Sequence, residues 1–102
     1  MGKNKDLEEL SNLLSRSLRH KIGSIVNKNE LYATKYAKDA EIILKEAEKV
    51  SLRQNWNSYD KTKIKEKLKS KLKKELEQKD FLDNKKFEIM NQEIKKILKK
   101  LK

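Results

Sequence analysis

Between Lys61 and Lys74, lysine takes every second position and then two in succession: Lys61, Lys63, Lys65, Lys67, Lys69, Lys71, Lys73 and Lys74, against one acid, Glu66. Ammonium groups at this density do one kind of chemistry unaided. They displace counterions from a polyanion, so that binding follows charge and salt rather than base sequence. The run carries +7 of the chain's net +11, and residues 57–102 carry +8 against +3 for residues 1–56. Only three arginines accompany 24 lysines. Guanine edges are usually read by bidentate guanidinium, so the expected mode is contact with the phosphate backbone of DNA or RNA rather than base reading. The competing reading of the same run is a solvated helix surface.

A second, smaller basic group, Arg16, Arg19, His20 and Lys21, holds Arg16 and Arg19 as candidate phosphate contacts. Its bland interpretation is the exposed side of an amphipathic helix. Trp56 and Tyr59 lie just ahead of the lysine run. Aromatic rings beside cations can stack on unpaired bases, but a short chain with few large side chains more often uses a tryptophan to close its core. His20 is the only histidine and cysteine is absent, so the sequence suggests no metal site and no cofactor. It has no glycine-rich phosphate loop and no recognisable nucleophile motif, and the expectation is a non-enzymatic protein.

These groups must be positioned by helices. Proline is absent, glycine occurs only at 2 and 23, and helix-forming residues dominate, giving an all-α expectation. Leu7, Leu10, Leu14, Leu18, Ile22 and Ile25 recur at three and four, predicting a first helix over 6–26 that kinks or ends near Gly23. Asn27-Lys28-Asn29 reads as a break, with Asn27 and Glu30 spaced as a capping pair. A second helix over 30–53 carries an Ala33, Ala37, Ala40, Leu44, Ala47 seam, flanked by Tyr32, Tyr36, Ile43 and Val50. Lys35, Lys38, Lys45 and Lys49 fall on its far face, and Glu41 is spaced to pair with Lys45. The first two helices are expected to form a tight antiparallel hairpin.

After a connector at 54–58, Ile64, Leu68, Leu72 and Leu76 recur every four residues. This predicts a third helix ending near Lys79, with lysines over nearly all its remaining surface. Asp80 and Asp83 have N-cap spacing and Phe87, Met90, Ile94, Ile97, Leu98 and Leu101 mark a fourth helix. The expected architecture is a small bundle of about four helices in two hairpins, over a single domain of 1–102: a hairpin at 6–53 and a lysine-rich half at 60–102. The alternative for the second half is one long coiled-coil-like arm.

Apolar residues make up 35% of the chain and charged residues 42%, so the core must be thin. A thin core and the narrow stripe of the last helix suggest a homodimer through 84–102, and a helical protein-interaction module is the rival to nucleic-acid binding. The longest aliphatic run, Ile42-Ile43-Leu44, is far too short to span a membrane, and a soluble intracellular protein of cytoplasm or nucleoid is the expectation.

Overall fold

The computed structural model describes residues 3–26, 30–78 and 86–100. They form four helices, α1 (Lys3–Val26), α2 (Glu30–Ser51), α3 (Ser58–Glu77) and α4 (Lys86–Lys100), and no strand. The expected break at 27–29, its Asn27–Glu30 cap, and Asp80 and Asp83 lie outside the described residues and side chains.

The apolar stripe of α1 sets the architecture. Leu7, Leu10, Leu14, Leu18 and Ile22 are each at most 5% exposed. Burying a side chain of this size contributes roughly 1.5–3 kcal/mol, so α1 is covered by more than one neighbour. It packs against all three other helices; α3 and α4 also touch each other, whereas α2 touches α1 alone. The result is that α1, α3 and α4 pack on one another, while α2 lies against α1 and adds Ala47 and Val50 to the same core. Ile25, expected to continue the stripe, is half exposed at 50% although it falls at the same angle as Leu7; it lies one residue from the C-terminal end of α1.

The α1–α2 pair is antiparallel, since Ser17 Oγ donates to the Ala40 carbonyl at 2.8 Å while Arg53 reaches back to Asp6 and Glu9 at 3.4 and 3.2 Å. Small residues bring the two backbones together. Ala40 and Ala47 are buried, Ala33 and Leu44 are half buried, and Ala37 is exposed. Gly23 neither ends nor interrupts α1. A β-carbon there would lie 3.4 Å from the ring of Tyr36, so the tyrosine packs directly against the α1 backbone. The expected Glu41–Lys45 pair does not form; Lys49 instead approaches Glu46 at 4.0 Å.

Helix α3 begins at Ser58, three residues before the lysine run. Asn57 Oδ1 accepts from the Asp60 amide at 2.8 Å and Asp60 Oδ2 accepts from the Asn57 amide at 3.1 Å, a reciprocal cap of two otherwise unsatisfied donors. The helix ends at a Gln78 cap, and α4 packs against it, which one continuous arm could not do. On α4, Met90, Ile94 and Ile97 are buried, and Phe87 and Leu98 pack on the same core. The chain's own α3 and α1 thus cover the stripe that suggested a second copy at 84–102. Leu101 lies outside the described residues.

Two substitutions probe the α1–α2 contact in opposite directions. Ala40→Leu overfills the seam and should destabilise by about 1–3 kcal/mol in thermal or urea melts. Gly23→Ala meets only ordinary van der Waals contact and regains helix propensity, so it should stabilise by about 0.5–1 kcal/mol. A destabilising Gly23→Ala would mean that the Tyr36 ring cannot give way.

Candidate nucleic-acid interface

The apolar residues of α3 recur every four, not 3.6, and this divides its lysines. Residues 60, 64, 68, 72 and 76 form the buried column and are at most 8% exposed. Each step of four overshoots a full turn by about 40°, so the column winds around the helix and the neighbouring columns wind with it. One flank holds Lys61, Lys65, Lys69 and Lys73; the other holds Lys63, Lys67, Lys71 and Glu75; the outer column holds Thr62, Glu66, Ser70 and Lys74. The alternating lysines that resemble strand periodicity are two separate rows on a helix.

The second flank faces α1. Lys67 Nζ donates to Glu8 Oε2 at 2.5 Å, Lys71 Nζ donates to Asn12 Oδ1 at 2.6 Å and lies 3.8 Å from Glu8 Oε1, and Arg19 meets Glu75 at 3.2 Å. Lys63 is turned back over the ring of Tyr59, 4.8 Å from its centroid. Together with Lys3–Asp60 at 2.5 Å, these contacts run in the same direction along both helices and set α3 parallel to α1. Between the N-terminal halves of the two helices lies an open cleft of about 500 Å³, bordered by Asn4, Glu8, Lys63, Glu66, Lys67 and Ser70 over Leu7.

The first flank points away from α1. Lys61, Lys65, Lys69 and Lys73, with Lys74 on the outer column, have no charged or hydrogen-bonding partner among the described residues. Four lysines at four-residue spacing stand about 6 Å apart along some 18 Å of helix. Helix α4 packs on both α3 and α1. Lys95 and Lys99 are exposed on α4. Glu93 is 3% exposed and its Oε1 accepts from Lys21 at 2.6 Å, while Lys96 lies 3.5 Å from its Oε2.

The candidate residues on α1 separate in the same manner. Arg16 is exposed without a partner among the described residues, whereas Arg19 is engaged by Glu75. His20 lies against Tyr36, ring centroids 5.8 Å apart. Trp56 is 6% exposed and donates from Nε1 to the Ser51 carbonyl at 2.8 Å, which makes it a core plug, while Tyr59 is exposed. Sequence reasoning missed Glu8, Asn12 and Glu75 as the partners of Lys67, Lys71 and Arg19 across the α1–α3 contact. Glu8 lies one step of the helix outside the leucine stripe, but nothing in its spacing names Lys67 as its partner across 59 residues.

Hydrogen bonding and charge from Lys67, with a smaller contribution from Lys71, hold the Glu8 carboxyl below its ordinary value of 4.5. The Lys3 hydrogen bond and the Asn57 amide hold Asp60 below 3.8. Folding lowers both values, so both carboxylates favour the folded state above their unfolded pKa, and that contribution is lost as pH falls through the folded pKa. The melting temperature should be flat near neutrality and begin to drop at about 4.5. In Glu8→Gln/Asp60→Asn it should be lower at neutrality with a shallower acid limb; identical acid limbs would remove these two groups from the account.

Among the described residues no helix is long and apolar enough to cross a membrane, and no cluster of acidic or histidine side chains could hold a metal ion. No protein-family model, curated protein or solved structure matches the chain.

Proposed function

We propose that the protein binds the phosphate backbone of DNA or RNA through the outward row of α3, without reading base sequence. The observation that carries this reading is the division of the lysines. Lys61, Lys65, Lys69, Lys73 and Lys74 are unopposed among the described residues, whereas Lys67 and Lys71 already have acceptors on α1. A fold that used lysine only for internal pairing would not leave five on one side of one helix. Arg16 has the chemistry of an auxiliary contact on a different face. With about four to five phosphates contacted, the logarithm of affinity for duplex DNA should fall with the logarithm of salt at a slope of about −4.

A protein-interaction role has one observation of its own. Leu31 and Ile42 on α2 and Leu52 in the turn just after it are 77%, 63% and 78% exposed and follow a four-three seam with Lys35, Lys38, Lys45 and Lys49. Salt separates the readings, because counterion release weakens steeply with salt and apolar burial does not.

Gel-shift or anisotropy titrations of duplex DNA, single strands and structured RNA at two salt concentrations test the proposal. Lys61→Gln/Lys65→Gln/Lys69→Gln/Lys73→Gln should lower affinity at least tenfold for every sequence alike and flatten the slope by about 3 to 4. Lys67→Gln/Lys71→Gln should change binding little. Equal losses in the two variants would mean that only net charge matters, and no binding at low salt would end the nucleic-acid reading.

A further inference from the structure

We infer that the α1–α3 cleft is a second phosphate-binding track of the same protein, and that Glu8 occupies it as an internal competitor for nucleic-acid phosphate. This rests on the nucleic-acid reading but concerns a different set of residues. Lys63, Lys67 and Lys71 form a row with the same spacing as the outward one. What distinguishes it is Glu8: two carboxylates, Glu8 and Glu66, border the cleft, but Glu8 alone engages the row. Glu8 takes Lys67 at 2.5 Å and stands 3.8 Å from Lys71, so one acid holds two ammonium groups.

The surroundings suit a phosphate better than they suit a permanently closed ion pair. Glu8 keeps 49% of its side chain exposed, and Lys67 and Lys71 keep 39% and 36%, so no apolar cover excludes another anion. The amide of Asn4 and the hydroxyl of Ser70 border the cleft as neutral donors, and Lys63 stands at its edge. A carboxylate of one negative charge with two oxygens offers the lysines what a backbone phosphodiester offers: one negative charge and two unesterified oxygens. An exposed pair of this kind contributes little to stability and is readily exchanged. A nucleic acid held on the outward row raises the local concentration of further phosphates around α3, where they compete with Glu8 for Lys67 and its neighbour Lys71.

The test compares two variants that remove the same charge. Glu8→Gln removes the charge that holds Lys67 and lies near Lys71, which keeps its hydrogen bond to Asn12; Glu66→Gln removes a cleft acid that forms no ion pair among the described residues. Anisotropy titrations with a labelled duplex of about 20 base pairs should show Glu8→Gln binding roughly three- to tenfold more tightly than the unsubstituted protein, with a salt slope steeper by about 1 to 2. Glu66→Gln should show a smaller gain with no change of slope. Adding Lys67→Gln and Lys71→Gln to Glu8→Gln should cancel the gain, although the same pair of changes has little effect when Glu8 is present.

If Glu8→Gln and Glu66→Gln gave equal gains, or if neither altered the slope, the cleft would not be a phosphate track while the outward row still could be. Absence of binding by the unsubstituted protein alone is the failure of the nucleic-acid reading. Circular dichroism melts on each variant confirm that fold and helix content are unchanged, and a Glu8→Gln that binds more tightly cannot owe this to unfolding.

Discussion

Everything in this fold depends on burying one helix on several sides. The leucine stripe of α1 is too long to leave in water and is covered by α3 and α4, while Ser17 and Gly23 present short or absent side chains to α2. A third part of its surface, with Glu8, Asn12 and Arg19, reads the register of α3 through polar contacts. α1 is therefore core, seam and polar ruler at once. A protein with so few apolar residues can remain folded because one central helix serves three neighbours instead of each pair of helices building its own interface.

The same constraint decides which charges remain available. A buried column that repeats every four residues leaves two flanks on α3, and α1 can lie against only one of them. Lysines at odd positions alternate between the flanks: Lys67 and Lys71 lie by Glu8 and Lys63 lies over Tyr59, whereas Lys61, Lys65, Lys69 and Lys73 have no such partner among the described residues, the first two partly buried and the last two exposed. Net charge gives the strength of the field at a distance; the column pattern gives the groups that can reach a phosphate without first breaking a contact. For this helix the two measures differ, since eight lysines reduce to five that are unopposed among the described residues.

Much of the fold was legible from pattern alone. The α1 stripe as far as Ile22, the Ala40–Ala47 part of the alanine seam, the four helices of the described residues and the burial of Trp56 all follow from local spacing and side-chain size. What the sequence hid was relational. Gly23 reads as a helix breaker because its cost is local, whereas its use, contact with the Tyr36 ring, lies across the hairpin. Asn57 and Asp60 have the spacing of a cap, but the density of lysine after them draws attention to a later start. The α4 stripe reads as narrow enough to call for a second copy, whereas α1 and α3 both lie against α4. The α3 run reads as lysine over nearly all the surface beside its apolar column; its division depends on α1 lying along one flank, through contacts between residues 59 positions apart.

The preference for lysine over arginine acquires a physical reason in this arrangement. An arginine at 67 or 71 would meet Glu8 with a planar fork and two parallel hydrogen bonds, a stronger and more directional pair than an ammonium forms. That would fasten α3 to α1 more firmly and make the cleft harder to open. Where the fold does use arginine, at 19 and 53, the partners are Glu75, Asp6 and Glu9, and the contacts tie helix ends together. Lysine holds the middle of the α1–α3 contact, where a compact charge on a flexible stem can turn from a carboxylate to another anion without disturbing the leucines beneath.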